Sequence, residues 1–361
     1  MLTEIARPPL LEARRVVIKL GTQVLSAPQG GLALERLRKI LGLVAELRSQ
    51  HKEVLLVTSG SVGLGAHALS IGLPIRGIGD RQACAAVGQS RLMSIYEREL
   101  ATHGLTVGQV LLTHGDFEDR NRYLNIRNTL LSLLRHGVLP IINENDAVSI
   151  AELQDQGSTE LVFGDNDRLS AVVASKLGAD LLLLLTDVSG LYEQDPTRHP
   201  DARLLSRVET TSDSDFEATA PSSAFGRGGM QSKVEAARLA SRAGCHAVIA
   251  SGLDPEAVSR VLRGQEEGTW FLARSGLNAR RRWIAWGSPA KGTLFLDAGA
   301  ISAIRERGAS LLAAGVTRLE GRFVRGDVVE LRSLSHAPVG RGMVSCDTDA
   351  AASWIDGRPP A

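Results

Sequence analysis

Residues 181–187 read Leu-Leu-Leu-Leu-Leu-Thr-Asp. Five consecutive leucines fall far short of a membrane span, and their lack of alternation marks a strand covered on both faces, as in a parallel sheet. A helix over about Arg168–Leu177 precedes them, after a turn at Gly164–Asp167. Toward the N-terminus, Val138–Asn143 is another apolar strand, preceded by a helix near Tyr123–Arg135 and a strand at Val107–Thr113. The series begins with Val16–Leu20. Leu34, Leu37, Ile40, Leu41, Val44 and Leu47 then recur at helical spacing before a strand at Glu53–Thr58, which completes a βαβ unit. On the C-terminal side a helix follows Lys233, a strand covers Ala247–Ala250, and a helix starts near Pro255, where proline suits the first helical position. This alternation predicts an α/β protein, a three-layer αβα sandwich on a mostly parallel sheet with helices on both faces.

Beyond about residue 275 the texture changes. Asn278-Ala279-Arg280-Arg281-Arg282 is polar, and the remaining C-terminal stretch has short strands, frequent glycines and one evident helix. Two domains are expected, 1–270 and a small mainly-β domain at 278–361. Asp195–Phe225, rich in Asp, Ser, Thr and Pro, reads as a long surface loop.

The 361 residues are 43% hydrophobic and 22% charged, the proportions of a soluble globular protein. A formal net charge of +1 removes any global electrostatic argument for nucleic acid or an anionic membrane as main partner. Three widely spaced cysteines, Cys84, Cys245 and Cys346, support neither a disulfide framework nor a metal knuckle. Met1–Arg15 has no apolar run long enough for a signal peptide, so a soluble cytoplasmic protein is expected.

The P-loop pattern GxxxxGK[ST] is absent, as are the HRD and DFG motifs of protein kinases. Instead, polar and glycine residues cluster where strands end, which is where open α/β sheets bind ligands. Lys19-Leu20-Gly21-Thr22 closes the first strand, Thr58-Ser59-Gly60 the second, and Gly226-Arg227-Gly228-Gly229-Met230 precedes Lys233. Glycines there let backbone N–H groups approach an anion, and an adjoining helix adds its positive end. Lys19 follows three apolar residues and reads as an anion ligand, whereas Lys233 could equally be a solvated lysine in a first helical turn. Two acidic clusters, Asn143-Glu144-Asn145-Asp146 and Gly164-Asp165-Asn166-Asp167, could each be a helix-capping turn. Their pairing favours a site in which carboxylates hold a substrate ammonium and amides meet a carboxylate. Thr186-Asp187 could likewise be a cap or a ligand contact.

The ordered set KLGT at Lys19, TSGSVGLG from Thr58, NENDAV from Asn143, FGDNDRLSA from Phe163, LLLTDVSGLY from Leu183 and GGMQSK from Gly228 resembles the glutamate-phosphorylating branch of the amino-acid kinase family. Gly292–Gly299, Ser310–Gly315 and Gly321–Val329 resemble a PUA domain. The resemblance implies ATP and Mg2+ as cofactors and L-glutamate as acceptor. Lys19 would reach the ATP phosphates and Lys233 would stabilise the transferred phosphoryl group, with Asp165 and Asp167 orienting both. Ser59, Asp146 and Asn166 would bind glutamate. Thr186, Asp187 and the run Arg227, Gly228, Gly229, Met230, Gln231, Ser232 and Lys233 would bind nucleotide, with Arg227 departing from the threonine expected there. No protein metal ligand is assigned. The resemblance also implies proline biosynthesis, inhibition by proline, coupling to a γ-glutamyl phosphate reductase and a homo-oligomer, a tetramer by preference.

Within the same fold, N-acetylglutamate, aspartate, carbamate or UMP are alternative acceptors. A reading from another class is RNA binding through the C-terminal domain. From Arg280 onward twelve Arg or Lys face eight Asp or Glu, a modest excess usual for a solvated surface. A patch of Arg280-Arg281-Arg282 with Trp283 and Trp286 is therefore the weaker reading, behind a regulatory or oligomer-organising role.

Overall fold

The computed structural model describes residues 7–27, 31–72, 74–113, 115–148, 166–194, 196, 199, 201–209, 229–274 and 290–355. The chain divides into two compact units, Met1–Asp116 with Asn125–Gly276, and Phe117–Leu124 with Leu277–Ala361. No helix among the described residues is long and apolar enough to cross a membrane.

In the first unit the strands are β1 (Arg15–Leu20), β2 (Glu53–Val57), β3 (Val107–Leu112), β4 (Leu139–Glu144), β5 (Leu181–Thr186), β6 (Arg207–Val208), β7 (His246–Ser251) and β8 (Thr269–Phe271). They form one sheet in the order β3-β4-β2-β1-β5-β7-β8-β6, parallel except where β7 meets β8. β1 is central: Ile18 lies beside Leu56 on one side and Leu183 on the other. All six residues of β5 are buried, as its unbroken leucines require.

The helices up to residue 262 are α1 (Pro8–Leu11), α2 (Thr22–Leu25), α3 (Leu34–Ser49), α4 (Ser61–Ala68), α5 (Ile78–Ala101), α6 (Gly115–Glu118), α7 (Arg120–Arg135), α8 (Asn166–Leu177), α9 (Gly229–Arg242) and α10 (Pro255–Leu262), with the Phe117–Leu124 part of α6 and α7 grouped in the second unit. The apolar stripe of α3, with Leu37, Ile40, Leu41, Val44 and Leu47 buried, joins Val16, Ile18, Leu20, Leu181, Leu183 and Leu185 in one core. Successive strand residues point to opposite faces, so the equally buried Val17, Leu55, Leu182 and Leu184 face the other layer, where α8 contacts β1 and β5. Lys19 shares that second face. At the start of α10, Asp254 accepts a hydrogen bond from the Glu256 backbone N–H at 2.9 Å, with Pro255 in the first turn.

Four local expectations need correction. Asn166 and Asp167 begin α8 instead of forming a turn before it, and α9 starts at Gly229, ahead of Lys233. The segment expected to be loop contributes the short strand β6 to the sheet. Helices α4 and α5 fill a stretch to which the apolar pattern assigned no element, because their small residues give only a weak stripe.

The second unit holds β9 (Gly292–Leu296), β10 (Val316–Gly321), β11 (Val328–Ser333) and β12 (Pro338–Met343) in the order β10-β9-β11-β12. It has two helices where one was expected, α11 (Ala298–Arg307) and α12 (Thr348–Ile355). Asp297 caps α11 through the Ala300 N–H at 2.7 Å, and Phe323, Leu294, Leu296, Val329 and Leu331 form its core.

Candidate active site

The C-terminal ends of β1, β2, β4 and β5 converge on a cavity of about 320 Å³. Lys19 projects there from β1 and is only 4% exposed. A buried ammonium needs a counter-charge, and Asp167, 1% exposed in the first turn of α8, supplies it at 2.6 Å through Oδ1. The other oxygen, Oδ2, receives Lys233 Nζ at 3.1 Å and the Ser232 hydroxyl at 3.0 Å, both from α9. Lys233 Nζ also donates to the Gly229 carbonyl at 2.8 Å. Burial by itself would raise the Asp167 pKa, but the two ammonium charges and their hydrogen bonds outweigh it and hold the carboxyl below its ordinary value. Two cations on one anion leave the Lys19–Asp167–Lys233 group with one net positive charge.

Across the cavity lies a polar network. Gly60, at φ +95, turns the chain from β2 into α4 in a conformation natural to glycine. Asn166 Nδ2 donates to Ser59 Oγ and to Asn143 Oδ1, each at 3.1 Å. Asn143 Nδ2 donates to Gln89 Oε1 at 2.9 Å and to Ser61 Oγ at 3.4 Å, and Ser61 Oγ donates to Asp146 Oδ2 at 3.5 Å. On the side of β5, the Thr186 hydroxyl donates to Asp187 Oδ1 at 2.9 Å.

The structure brings most of the sequence-predicted residues to this one place. Lys19, Ser59, Asp146 and Asn166 line the cavity, as do Thr186, Asp187, Gly229, Ser232 and Lys233. Asp167 sits beneath it as the shared anchor of both lysines. Met230 and Gln231 lie in the first turn of α9 but are not part of the wall, and Gln231 instead donates to Glu235 at 3.0 Å. Asp165, Arg227 and Gly228 lie outside the described residues. Arg81 also lines the cavity, and the sequence pattern did not single it out. It belongs to α5, so nothing in the strand-end pattern pointed to it. Gln89 escaped notice for the same reason, and Asn143, part of a strand-end cluster noted in the sequence, shows its bond to Gln89 only once α5 is seen against the end of β4.

Among the described residues no group of three or more His, Cys, Asp or Glu forms a metal cage. The three carboxylates in the wall, Glu144, Asp146 and Asp187, form no such cage, which suits a magnesium ion carried chiefly by phosphate oxygens and water.

Comparison with known proteins agrees with this geometry. The amino acid kinase family matches residues 14–251, and the PUA domain matches residues 292–358. The chain is 43% identical to the glutamate 5-kinase of Dehalococcoides mccartyi over 338 residues, covering 93% of this chain and 89% of that one. It is 44% identical to the glutamate 5-kinase of Trichlorobacter lovleyi over 336 residues, covering 92% and 87%. The solved carbamate kinase from Giardia lamblia bound to AMP-PNP shares the fold with a TM-score of 0.52 at 16% identity, over 73% of this chain and 99% of that one. This chain therefore belongs to the amino acid kinase family, alongside the glutamate 5-kinases, with a PUA domain at residues 292–358.

Proposed function

We propose that the protein transfers the γ-phosphoryl group of ATP to the side-chain carboxylate of L-glutamate, giving γ-glutamyl phosphate and ADP. The observation that carries this reading is the pair of lysines held on opposite oxygens of Asp167 across a cavity from Ser59, Asp146 and Asn166. A glutamate side chain has an unperturbed pKa near ~4.3, so at neutral pH it is already an anionic nucleophile and needs no general base. A carboxylate oxygen forms a bond to the γ-phosphorus while the bond from that phosphorus to the β–γ bridging oxygen breaks, and the electron pair leaves with ADP.

The obstacle is charge. An anion must approach a triphosphate, and negative charge spreads over the transferred oxygens. Lys19 and Lys233 offset that charge, and Asp167 keeps both ammonium groups fixed before substrate arrives, so little reorganisation accompanies the reaction. Asp146 and Asn166 hold the glutamate backbone end, and Ser59 stands beside them. Thr186, Asp187 and the start of α9 receive the nucleotide, and magnesium on its phosphates adds Lewis-acid charge when bound.

The product is an acyl phosphate that water or internal cyclisation destroys, which supports a place at the first step of proline biosynthesis in the cytoplasm, coupled to a γ-glutamyl phosphate reductase. We assign feedback inhibition to proline, a homotetramer to the assembly, and a regulatory or assembly-organising role to the PUA domain. The basic-aromatic patch at Arg280–Trp286, the basis of an RNA-binding alternative, lies outside the described residues. The test is ATP-dependent hydroxamate formation from L-glutamate, with and without proline, against N-acetylglutamate and aspartate. Preferential, proline-sensitive use of glutamate is expected. Clear preference for another acceptor would overturn the assignment.

A further inference from the structure

We infer that Gln89, on α5, is a positioning residue for acceptor recognition: it holds the Asn143–Asn166 amide pair in one sense, so that Asn166 meets the substrate as a hydrogen-bond acceptor. The inference rests on the proposed role of Asn166 in binding substrate. An amide can in principle present either end, so the sense must be fixed by a group with only one option. Asp146 is that group. Its ionised carboxylate can only accept, so Ser61 Oγ, 3.5 Å away, donates to it and is left to accept from Asn143 Nδ2 at 3.4 Å. These contacts are long and individually weak, but they set a direction. The 2.9 Å bond from Asn143 Nδ2 to Gln89 Oε1 then holds it.

With its NH2 committed to Ser61 and Gln89, Asn143 offers Oδ1 to Asn166. Both N–H groups of Asn166 are in turn engaged, by Asn143 and by Ser59, each at 3.1 Å. What remains is Asn166 Oδ1, buried and without a hydrogen-bond partner among the described residues. A buried acceptor left unpaired is costly, and an N–H donor relieves it. The substrate's ammonium group is such a donor; its carboxylates are not.

Gln89 is 9% exposed and reaches this network because α4 and α5 touch backbone to backbone. A Cβ at Gly88 would lie 1.7 Å from the carbonyl oxygen of Ser61, and one at Gly65 would lie 1.8 Å from that of Cys84. Gly88 therefore lays the turn bearing Gln89 directly on the start of α4, where Ser61 begins the relay.

The test uses the full-length protein, hydroxylamine trapping and thermal melts. Gln89→Met keeps the length and removes the acceptor; it is expected to raise the KM for L-glutamate about tenfold, with the KM for ATP and kcat changed by less than about twofold. Gln89→Glu keeps an acceptor oxygen and is expected to recover most of that loss. Asn143→Asp, which removes both donors, gives an independent reading should Gln89→Met not fold, and is expected to raise the glutamate KM at least as much. An unchanged glutamate KM in Gln89→Met or Asn143→Asp, a parallel rise in the KM for ATP, or no recovery with Glu would overturn the inference. If the wild-type protein prefers another acceptor, the assignment of glutamate fails, and the same comparison run with that acceptor still decides the role of Gln89.

Discussion

Lys19 and Lys233 lie on opposite oxygens of a single carboxylate, Asp167, at 2.6 Å from Oδ1 and 3.1 Å from Oδ2. The carboxylate cancels one of two positive charges and gives the buried Lys19 ammonium the counter-charge that burial demands. Lys233→Ala is expected to lower kcat roughly a hundred- to a thousandfold, the usual cost of losing one oriented charge donor, while the protein still folds. Asp167→Asn should also lower kcat, because both ammonium groups lose their anchor. Single-turnover rates alongside a thermal melt check both, and wild-type turnover in either variant would remove the role given to that residue.

Asp167 also bears on pH. Its folded pKa lies below the ordinary carboxylate value, since the two lysines outweigh the effect of burial. Its contribution to stability is present above its unfolded pKa and is lost as pH falls through the lower folded value. A kcat–pH profile is therefore expected to show no limb from Asp167 between about pH 5 and 8. An acidic limb in that window that disappears in Asp167→Asn would contradict this.

The close contact of α4 with α5 gives a graded packing prediction. Gly88→Ala and Gly65→Ala force a methyl group into backbone, at 1.7 and 1.8 Å, and are expected to destabilise by roughly 1–3 kcal/mol or more. Gly42, in α3, would meet nothing within 4 Å, so Gly42→Ala should instead stabilise by about 0.5–1 kcal/mol through helix propensity. Chemical denaturation of the three variants checks the order. Equal effects at positions 42 and 88 would mean that the helices are not in such contact.

Inside the strand-end motifs, much of the fold and site was legible, and the reason is physical. Apolar runs such as Leu181–Leu185 admit few conformations other than a buried strand, and the polar clusters, each readable alone as a cap or solvated turn, point to a site through their shared place at strand ends. The parts that were not legible depend on packing. α5 shows no strong apolar stripe because it is clasped through glycines as well as through Leu92, Tyr96 and Leu100, so Arg81 and Gln89 gave no periodic signal. Asp167 reads in the sequence as one of two acids that orient the lysines, and its place beneath both of them is visible only in the structure. β6 escaped notice because two residues carry no pattern.

The buried end of β2 offers a further test. Tyr96, fully buried on α5, lies 2.7 Å from Thr58 Oγ1, and Thr58 Oγ1 itself donates to the Ser59 carbonyl at 3.2 Å. The phenol therefore donates to the threonine, and burial pushes its pKa up so that it stays protonated. Tyr96→Phe removes that donor at constant shape and is expected to cost about 1 kcal/mol, seen as a melting temperature lower by a few degrees. An unchanged melt would mean the hydroxyl contributes nothing at this junction.

Lys176 gives the last prediction, on stability alone. It sits in α8 at 9% exposure, and burial lowers its pKa from 10.5 to about 7. In the unfolded chain the same lysine keeps its ordinary value, so between about pH 7 and 10.5 the unfolded state holds more protons. Stability must therefore rise with pH across that window, and the penalty for burying the charge is complete below about pH 7. Lys176→Met keeps the volume without the charge. Relative to wild type, the variant is expected to gain most near pH 6, with that difference shrinking as pH approaches 10. Urea unfolding of both proteins across that range measures the gap directly; a gap that stays constant with pH would show that Lys176 keeps its ordinary pKa in the folded protein.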